Sequence, residues 1–235
     1  PAIIGAARRW SRATSRSRER MNQEVRFSRL EPEQRKALLI EATLACLKRH
    51  GFQGASVRKI CAEAGVSVGL INHHYDGKDA LVAEAYLAVT GRVMRLLRGA
   101  IDTAPGGARP RLSAFFEASF SAELLDPQLL DAWLAFWGAV GSIEAIGRVH
   151  DHSYGEYRAL LVGVLRQLAE EGGWADFDAE LAAISLSALL DGLWLESGLN
   201  PATFTPRQGV QICEAWVDGL EAGAHRRFRR AMEAC

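Results

Sequence analysis

SVRKICAEAGVSVGLINHHYDGKDAL, Ser56 to Leu81, decides how the chain folds. Ser56 offers an N-cap to a short helix, VRKICAEA, whose Ile60, Cys61 and Ala64 face inward. Gly65 supplies the positive φ that stops it, Val66 plugs the space between helices, and Ser67 caps a third short helix that Asp76-Gly77 breaks. Small Cys61 lets the helices approach. Two short helices across a tight glycine turn form a helix-turn-helix, whose second member enters a DNA major groove.

On that second member Ile71 and Tyr75 are four apart and should face the core. Ser67, Val68, Gly69, Leu70, Asn72, His73 and His74 are then left outside, flanked by Arg58, Lys59 and Lys78. Basic residues attract phosphates without regard to sequence, while short polar and apolar groups touch base edges. Asn72 suits adenine; Val68 or Leu70 suits a thymine methyl. His73 and His74 point about 100° apart, so they do not chelate one metal together, for which spacings of three or four would be needed. A solvated surface remains the plain alternative to DNA contact.

Working outward, strand signals are nearly absent and apolar spacings of three and four recur, so the chain is read as all-α. A first helix begins near Pro32 and stops at Gly51, with Ala37, Ile40, Leu44 and Leu47 on its buried face. A long helix from about Lys78 to Ile101 buries Leu81, Ala85, Val89, Val93 and Leu96. The loop DTAPGGARP, residues 102–110, follows, and then helices near 111–125, 127–146, 153–171, 176–197 and 206–223. The organisation predicted is a basic tail over 1–28, a three-helix DNA-binding domain over 29–78 and a helical ligand-binding and dimerisation core over 79–225.

Charge divides the same way. Residues 1–100 hold 18 Lys and Arg against 9 Asp and Glu, and residues 101–235 hold 10 against 19, although the whole chain of 235 residues is neutral. A basic half suits a polyanionic partner. Part of the excess lies in PAIIGAARRWSRATSRSRER, an Arg- and Ser-rich tail without apolar period, expected to be disordered and to precede a native start at Met21. Cys46, Cys61, Cys213 and Cys235 are far apart, which favours neither a disulfide framework nor zinc. No apolar run approaches the roughly 20 residues that span a bilayer, so a cytoplasmic protein without membrane contact, metal or cofactor is expected.

Residues 33–81, and above all the quoted stretch, resemble the DNA-binding domain of TetR-family transcriptional regulators. The resemblance implies three helices reading DNA and a fourth, long helix leading to a ligand-binding core. It also implies DNA contacts by Ser56 and Arg58, by Ser67 through His74, and by Lys78 on a phosphate. Cys61 stands where the family often has alanine, and His74 where it commonly has tyrosine.

The second half is unusual in its aromatics. DAWLAFWGAV places Trp133, Phe136 and Trp137 on one helical face, and LLDGLWLES sets Asp191 one turn before Trp194. Such a stripe belongs to a core, a subunit interface or a ligand pocket. A buried Asp191 needs either an internal hydrogen bond or a cationic ligand. These segments, with RKALLIEATL, resemble the choline-responsive BetI subgroup of the same family, which controls glycine betaine synthesis. That resemblance implies a quaternary ammonium effector caged by Trp133, Phe136, Trp137, Trp194 and Asp191, held by aromatic faces and charge. It implies further a homodimer, built by the last two helices, on a palindromic double-stranded operator. A sensor of drugs or acyl compounds is the near rival. The distant rival is an all-α enzyme using His150, Asp151, His152 and Tyr154, a cluster expected on a surface loop.

Overall fold

Pro32 has no N–H to lose at a helix start, and Gln34 accepts the Glu31 backbone N–H at 3.2 Å where the chain enters helix α1, Pro32–Gly54. The computed structural model describes residues 31–69, 71 and 75–229; the tail through Met21 and the side chains of Leu70, Asn72, His73 and His74 lie outside that set. Gly51, at φ 62°, kinks α1 where the stop was expected, and a last turn runs on to Gly54. The buried stripe of α1 is Leu39, Ala42, Thr43, Cys46 and Leu47, with Ile40 and Leu44 half-buried beside it and Ala37 exposed. The expected face is therefore off by about one residue. Periodicity assumes one packing partner, whereas α1 meets a head helix on one side and core helices on another. Thr43 tolerates burial because its hydroxyl donates to the Leu39 carbonyl at 2.7 Å.

Helix α2 spans Val57–Ala64, capped by Ser56 Oγ on the Lys59 N–H and ended by Gly65 at φ 69°. Helix α3, Gly77–Thr103, has 27 residues, about 40 Å at 1.5 Å per residue. It packs on α1 at one end and runs along the core at the other. Helix α4 is Ala108–Ser119, α5 Pro127–Val140, α6 Glu144–Gly172, α7 Ala179–Leu199 and α8 Pro206–Glu221. No strand forms among the described residues, and the only pairing of that kind there is an isolated bridge from Phe177 to Arg229.

Two boundaries differ from expectation. Residues 150–154 lie inside α6, which starts at Glu144, and α5 ends at Val140, before the turn at Gly141-Ser142. Gly147 and Gly155 hide the helical period at the start of α6, and burial against α3 overrides their low propensity. Loop 102–110 is shorter than expected because Glu171 accepts the Ala108 N–H with both oxygens, at 3.0 and 3.1 Å, and so starts α4 early.

Leu81, Tyr86, Leu97, Phe115, Phe116 and Phe136 are fully buried and belong to one continuous core reaching from α1 to α8. Helix α7 is, by length and composition, apolar enough to cross a membrane. Its apolar residues divide between two faces. Ala182, Leu186, Leu190 and Trp194 pack inward, while Leu181, Ile184, Leu195 and Leu199 stay exposed, as does Ile212 of α8.

Candidate functional site

The head presents a short edge. Ser67, Val68 and Gly69 are exposed at the start of the third helical turn, while Ile71 is fully buried and Tyr75 half-buried against the core. Alternation between outward and inward residues thus follows the expected face over the described positions. Arg58 and Lys59 are exposed on the neighbouring helix. Ser56 spends its hydroxyl as the cap of α2. Lys78 is partly buried: its ammonium donates to the Phe52 carbonyl at 3.3 Å and sits 4.0 Å above the Phe52 ring, tying the start of α3 to the end of α1. Leu70, Asn72, His73 and His74 lie outside the described side chains.

The core holds a cavity of about 20 Å³ lined by Thr90, Val93 and Met94 of α3, Trp133 of α5, Ser153, Tyr154 and Tyr157 of α6, and Asp191 and Trp194 of α7. A space of that size takes roughly one water. The structure brings Trp133, Asp191 and Trp194 together on this wall, as the sequence suggested. Trp133 and Trp194 stand at 89° with centroids 5.8 Å apart, so two indole planes form a corner. Trp194 is locked there by donating its N–H to the Ser119 carbonyl at 3.0 Å.

Phe136 and Trp137 are not on that wall. Phe136 is fully buried and stacks on Tyr86 at 4.5 Å, and Trp137 lies behind Trp133 at 6.2 Å. Sequence reasoning missed the tyrosines. Tyr154 donates to Asp191 Oδ1 at 3.1 Å, and Tyr157 closes the same side. Their i, i+3 spacing signals a shared helical face, but nothing local says that this face meets Asp191.

Burial pushes the Asp191 carboxyl up to about 6, against the opposing effects of the Tyr154 hydrogen bond and the Arg158 charge. Desolvation and the nearby Asp191 hold Tyr86, Tyr154 and Tyr157 above the ordinary phenol range. His150 is lowered by its half-buried position and places Nδ1 2.9 Å from the Tyr86 hydroxyl. His152 instead pairs with Glu156 at 3.8 Å on the exposed side of α6. Of the catalytic-looking cluster, Asp151 and His152 therefore lie on the exposed side of α6, away from His150 and Tyr154, whose rings pack together on its inner side. No grouping of three or more metal-ligating side chains exists among the described residues.

The cavity touches the head through two helices. Helix α3 runs from the cavity into the DNA-binding end, and α5, which carries Trp133, packs on α1, where Lys48 pairs with Asp131 at 3.7 Å. Lys36 of α1 also pairs with Glu84 of α3.

Residues 39–85 match the family described as bacterial regulatory proteins, tetR family, and residues 108–222 match the BetI-type transcriptional repressor, C-terminal. The HTH-type transcriptional regulator BetI of Vibrio parahaemolyticus is 32% identical over 187 residues, covering 79% of this chain and 88% of its own. The chain belongs to the TetR family of transcriptional regulators. Its C-terminal domain is of the BetI type, and the molecule is a ligand-responsive DNA-binding regulator rather than an enzyme. As in its family, operator DNA, a second subunit and a small-molecule effector are its partners.

Two solved TetR-like structures share the fold. A putative regulator from Saccharomonospora viridis in complex with choline is 20% identical, with TM-score 0.69 over 79% of this chain and 96% of that one. FadR of Bacillus subtilis, in complex with stearoyl-CoA, is 18% identical, with TM-score 0.67 over 80% of this chain and 98% of its own.

Proposed function

We propose that this TetR-family regulator is a cytoplasmic, homodimeric repressor of choline and glycine betaine metabolism genes, and that choline or a related quaternary ammonium weakens its hold on the operator. One observation carries the reading: the connecting helix α3 is itself a wall of a cavity built from crossed indoles and a half-buried carboxylate. A quaternary ammonium has no N–H to donate. It is held by aromatic faces, each contributing about 0.5–2 kcal/mol, and by an opposing charge. Trp133, Trp194 and Asp191 supply both, with Tyr154 orienting the carboxylate. Phe136 and Trp137 act behind them, as packing that fixes Trp133 and Tyr86.

The mechanism follows from volume. A cavity with room for about one water cannot take a trimethylammonium group until its walls separate. Thr90, Val93 and Met94 are one wall, so the push reaches α3, and through Lys78 and Phe52 it reaches the head. Helix α5 carries the same displacement to α1. The DNA-binding unit, assigned to 29–78, then turns relative to the core, 79–225. Two reading helices that fitted grooves about 34–36 Å apart lose their spacing. A coupling of roughly 1–3 kcal/mol, or about 5–150-fold in operator affinity, is the expected scale.

The DNA contacts assigned are Ser67, Val68, Gly69, Leu70, Asn72, His73 and His74 in the groove, with Arg58 towards phosphate. Ser56 and Lys78 serve by shaping the head as caps and ties. The operator is palindromic because the dimer is two-fold, formed by the exposed apolar faces of α7 and α8. Fluorescence anisotropy of a labelled operator fragment, titrated with and without choline, tests the reading. Choline should weaken the complex; unchanged affinity, together with no heat of choline binding in calorimetry, would refute the effector.

A second reading has its own support. Val93, Met94 and the indole faces make much of the cavity wall apolar, which suits a lipophilic or acyl effector. Trp133→Ala should harm both kinds of sensor, whereas Asp191→Asn should harm only a cation sensor.

A further inference from the structure

A donor on the cavity wall has no acceptor. The indole Nε1 atoms of Trp133 and Trp137 are sealed from solvent; Trp137 Nε1 has the Tyr154 hydroxyl nearby, whereas Trp133 Nε1 has no hydrogen-bond partner. The third indole of the cluster, Trp194, is satisfied by the Ser119 carbonyl. A buried N–H left unpaired costs about 1–3 kcal/mol, and native interiors contain few of them. Here one occurs on α5, at Trp133, which is part of the cavity wall.

Three other donors along that wall are already committed. Ser153 donates to the Thr90 hydroxyl at 2.9 Å, and Thr90 lies 3.1 Å from the carbonyls of Tyr86 and Leu87. Tyr154 donates to Asp191. The cavity therefore combines a negative acceptor, Asp191, with an unspent donor, Trp133.

We infer that the effector carries a hydrogen-bond-accepting oxygen as well as its positive charge, and that the Trp133 N–H receives this oxygen and distinguishes oxygen-bearing ammonium ions from bare tetraalkylammonium ions. The inference rests on the cationic-effector reading above and sharpens it. Aromatic faces and a carboxylate respond to charge and shape, which choline shares with propyltrimethylammonium, its analogue with methyl in place of hydroxyl. Only a directed hydrogen bond separates the two. A site with a polar group to satisfy rejects the analogue that leaves it unpaired. Trp137, at 68° to Trp133 and half-buried behind it, holds the ring in place.

The test is calorimetry on the full-length dimer at pH 8 with choline and propyltrimethylammonium, using wild type, Trp133→Phe and Trp216→Phe. The wild type should prefer choline by roughly 2–13-fold, the range one net hydrogen bond gives. Trp133→Phe should bring the preference close to one, and Trp216→Phe, on α8 outside the cavity lining, should leave it intact. In parallel, protein carrying ¹⁵N-labelled tryptophan should show one indole N–H resonance moving downfield with choline and staying in place with propyltrimethylammonium, which needs no variant to fold. Equal affinity of the wild type for both ions, or a preference that survives Trp133→Phe, overturns the inference while the cation cage stands. If neither ion binds, the cationic-effector reading fails, and this inference fails with it.

Discussion

The hydroxyl of Tyr86, on the helix that reaches the DNA-binding end, lies 2.9 Å from Nδ1 of His150 on the cavity-forming helix α6. His150 in turn packs 4.2 Å from the ring of Tyr154, whose hydroxyl holds Asp191. Four side chains thus join the carboxylate of the cavity to the connecting helix. Tyr86→Phe keeps the stacking on Phe136 and removes only this tie. Stability should fall by about 1 kcal/mol. Choline binding should persist, but the choline-induced loss of operator affinity should shrink several-fold in anisotropy titrations. Full coupling in Tyr86→Phe would rule the tie out as part of the switch.

Asp191 should be a stability cost kept for binding. Its folded carboxyl holds a proton up to about pH 6, whereas the unfolded one releases it near 3.8. Between those values the folded state binds more protons, so stability falls as pH rises through the window. On the order of 3 kcal/mol is lost by neutral pH. Asp191→Asn keeps an oxygen for Tyr154 and removes the buried charge. Its melting temperature should exceed that of the wild type at pH 8, with the gap closing towards pH 4. Cation affinity in the wild type should run the other way, dropping as pH falls below about 6, and should be weak in Asp191→Asn at every pH.

Ile184 projects from α7 at 51% exposure, beside exposed Leu181 and, along the helix, Leu195 and Leu199. Ile184→Glu places a charge in that face, and burying it between subunits would be prohibitive. Analytical ultracentrifugation should find monomer where the wild type is dimer, and operator affinity should drop by more than tenfold because half-sites no longer bind together. A dimeric Ile184→Glu protein would move the interface elsewhere.

Gly65 holds φ 69° at the turn of the head, where a side chain costs about 1–2 kcal/mol. Gly65→Ala should loosen the head and weaken the operator complex, while calorimetric choline affinity stays within about twofold, because the cavity is built by other helices. Equal losses of both would mean that head and core do not behave as separable units.

Close packing sets a further limit on α8. A Cβ on Gly209 would come within 2.5–2.9 Å of the Phe120 ring, which itself packs edge-on against Phe204. Gly209→Ala should destabilise by about 1–3 kcal/mol in urea unfolding, as overpacked cores do. An unchanged midpoint would mean that the Phe120 ring gives way freely.

Much of the architecture was legible because its determinants are local. Ser56 caps α2 through Lys59, three residues away, and Thr205 and Gln208 cap α8 reciprocally across the same spacing, with Pro206 at the first position. Gly51 and Gly65 adopt the positive φ expected of them. Where the period was ambiguous the reading slipped. The buried stripe of α1 is shared between two packing directions, and the glycines near 147 and 155 concealed the start of α6. Trp133, Phe136 and Trp137 lie on one helix face as expected, yet one face spans cavity wall and packed interior at once.

The sequence alone determined the helices, most of their stops and the outward placing of Ser67, Val68 and Gly69, since each depends on backbone chemistry within about four residues. Tertiary structure alone decided which indole meets Asp191, that Tyr154 rather than Trp137 bonds it, and that α3 walls the cavity. Those contacts join positions 37 to 75 residues apart, as in Tyr154 with Asp191 and Trp194 with Ser119. Where helices cross is fixed by how all their side chains interlock, a property no single stretch of chain contains.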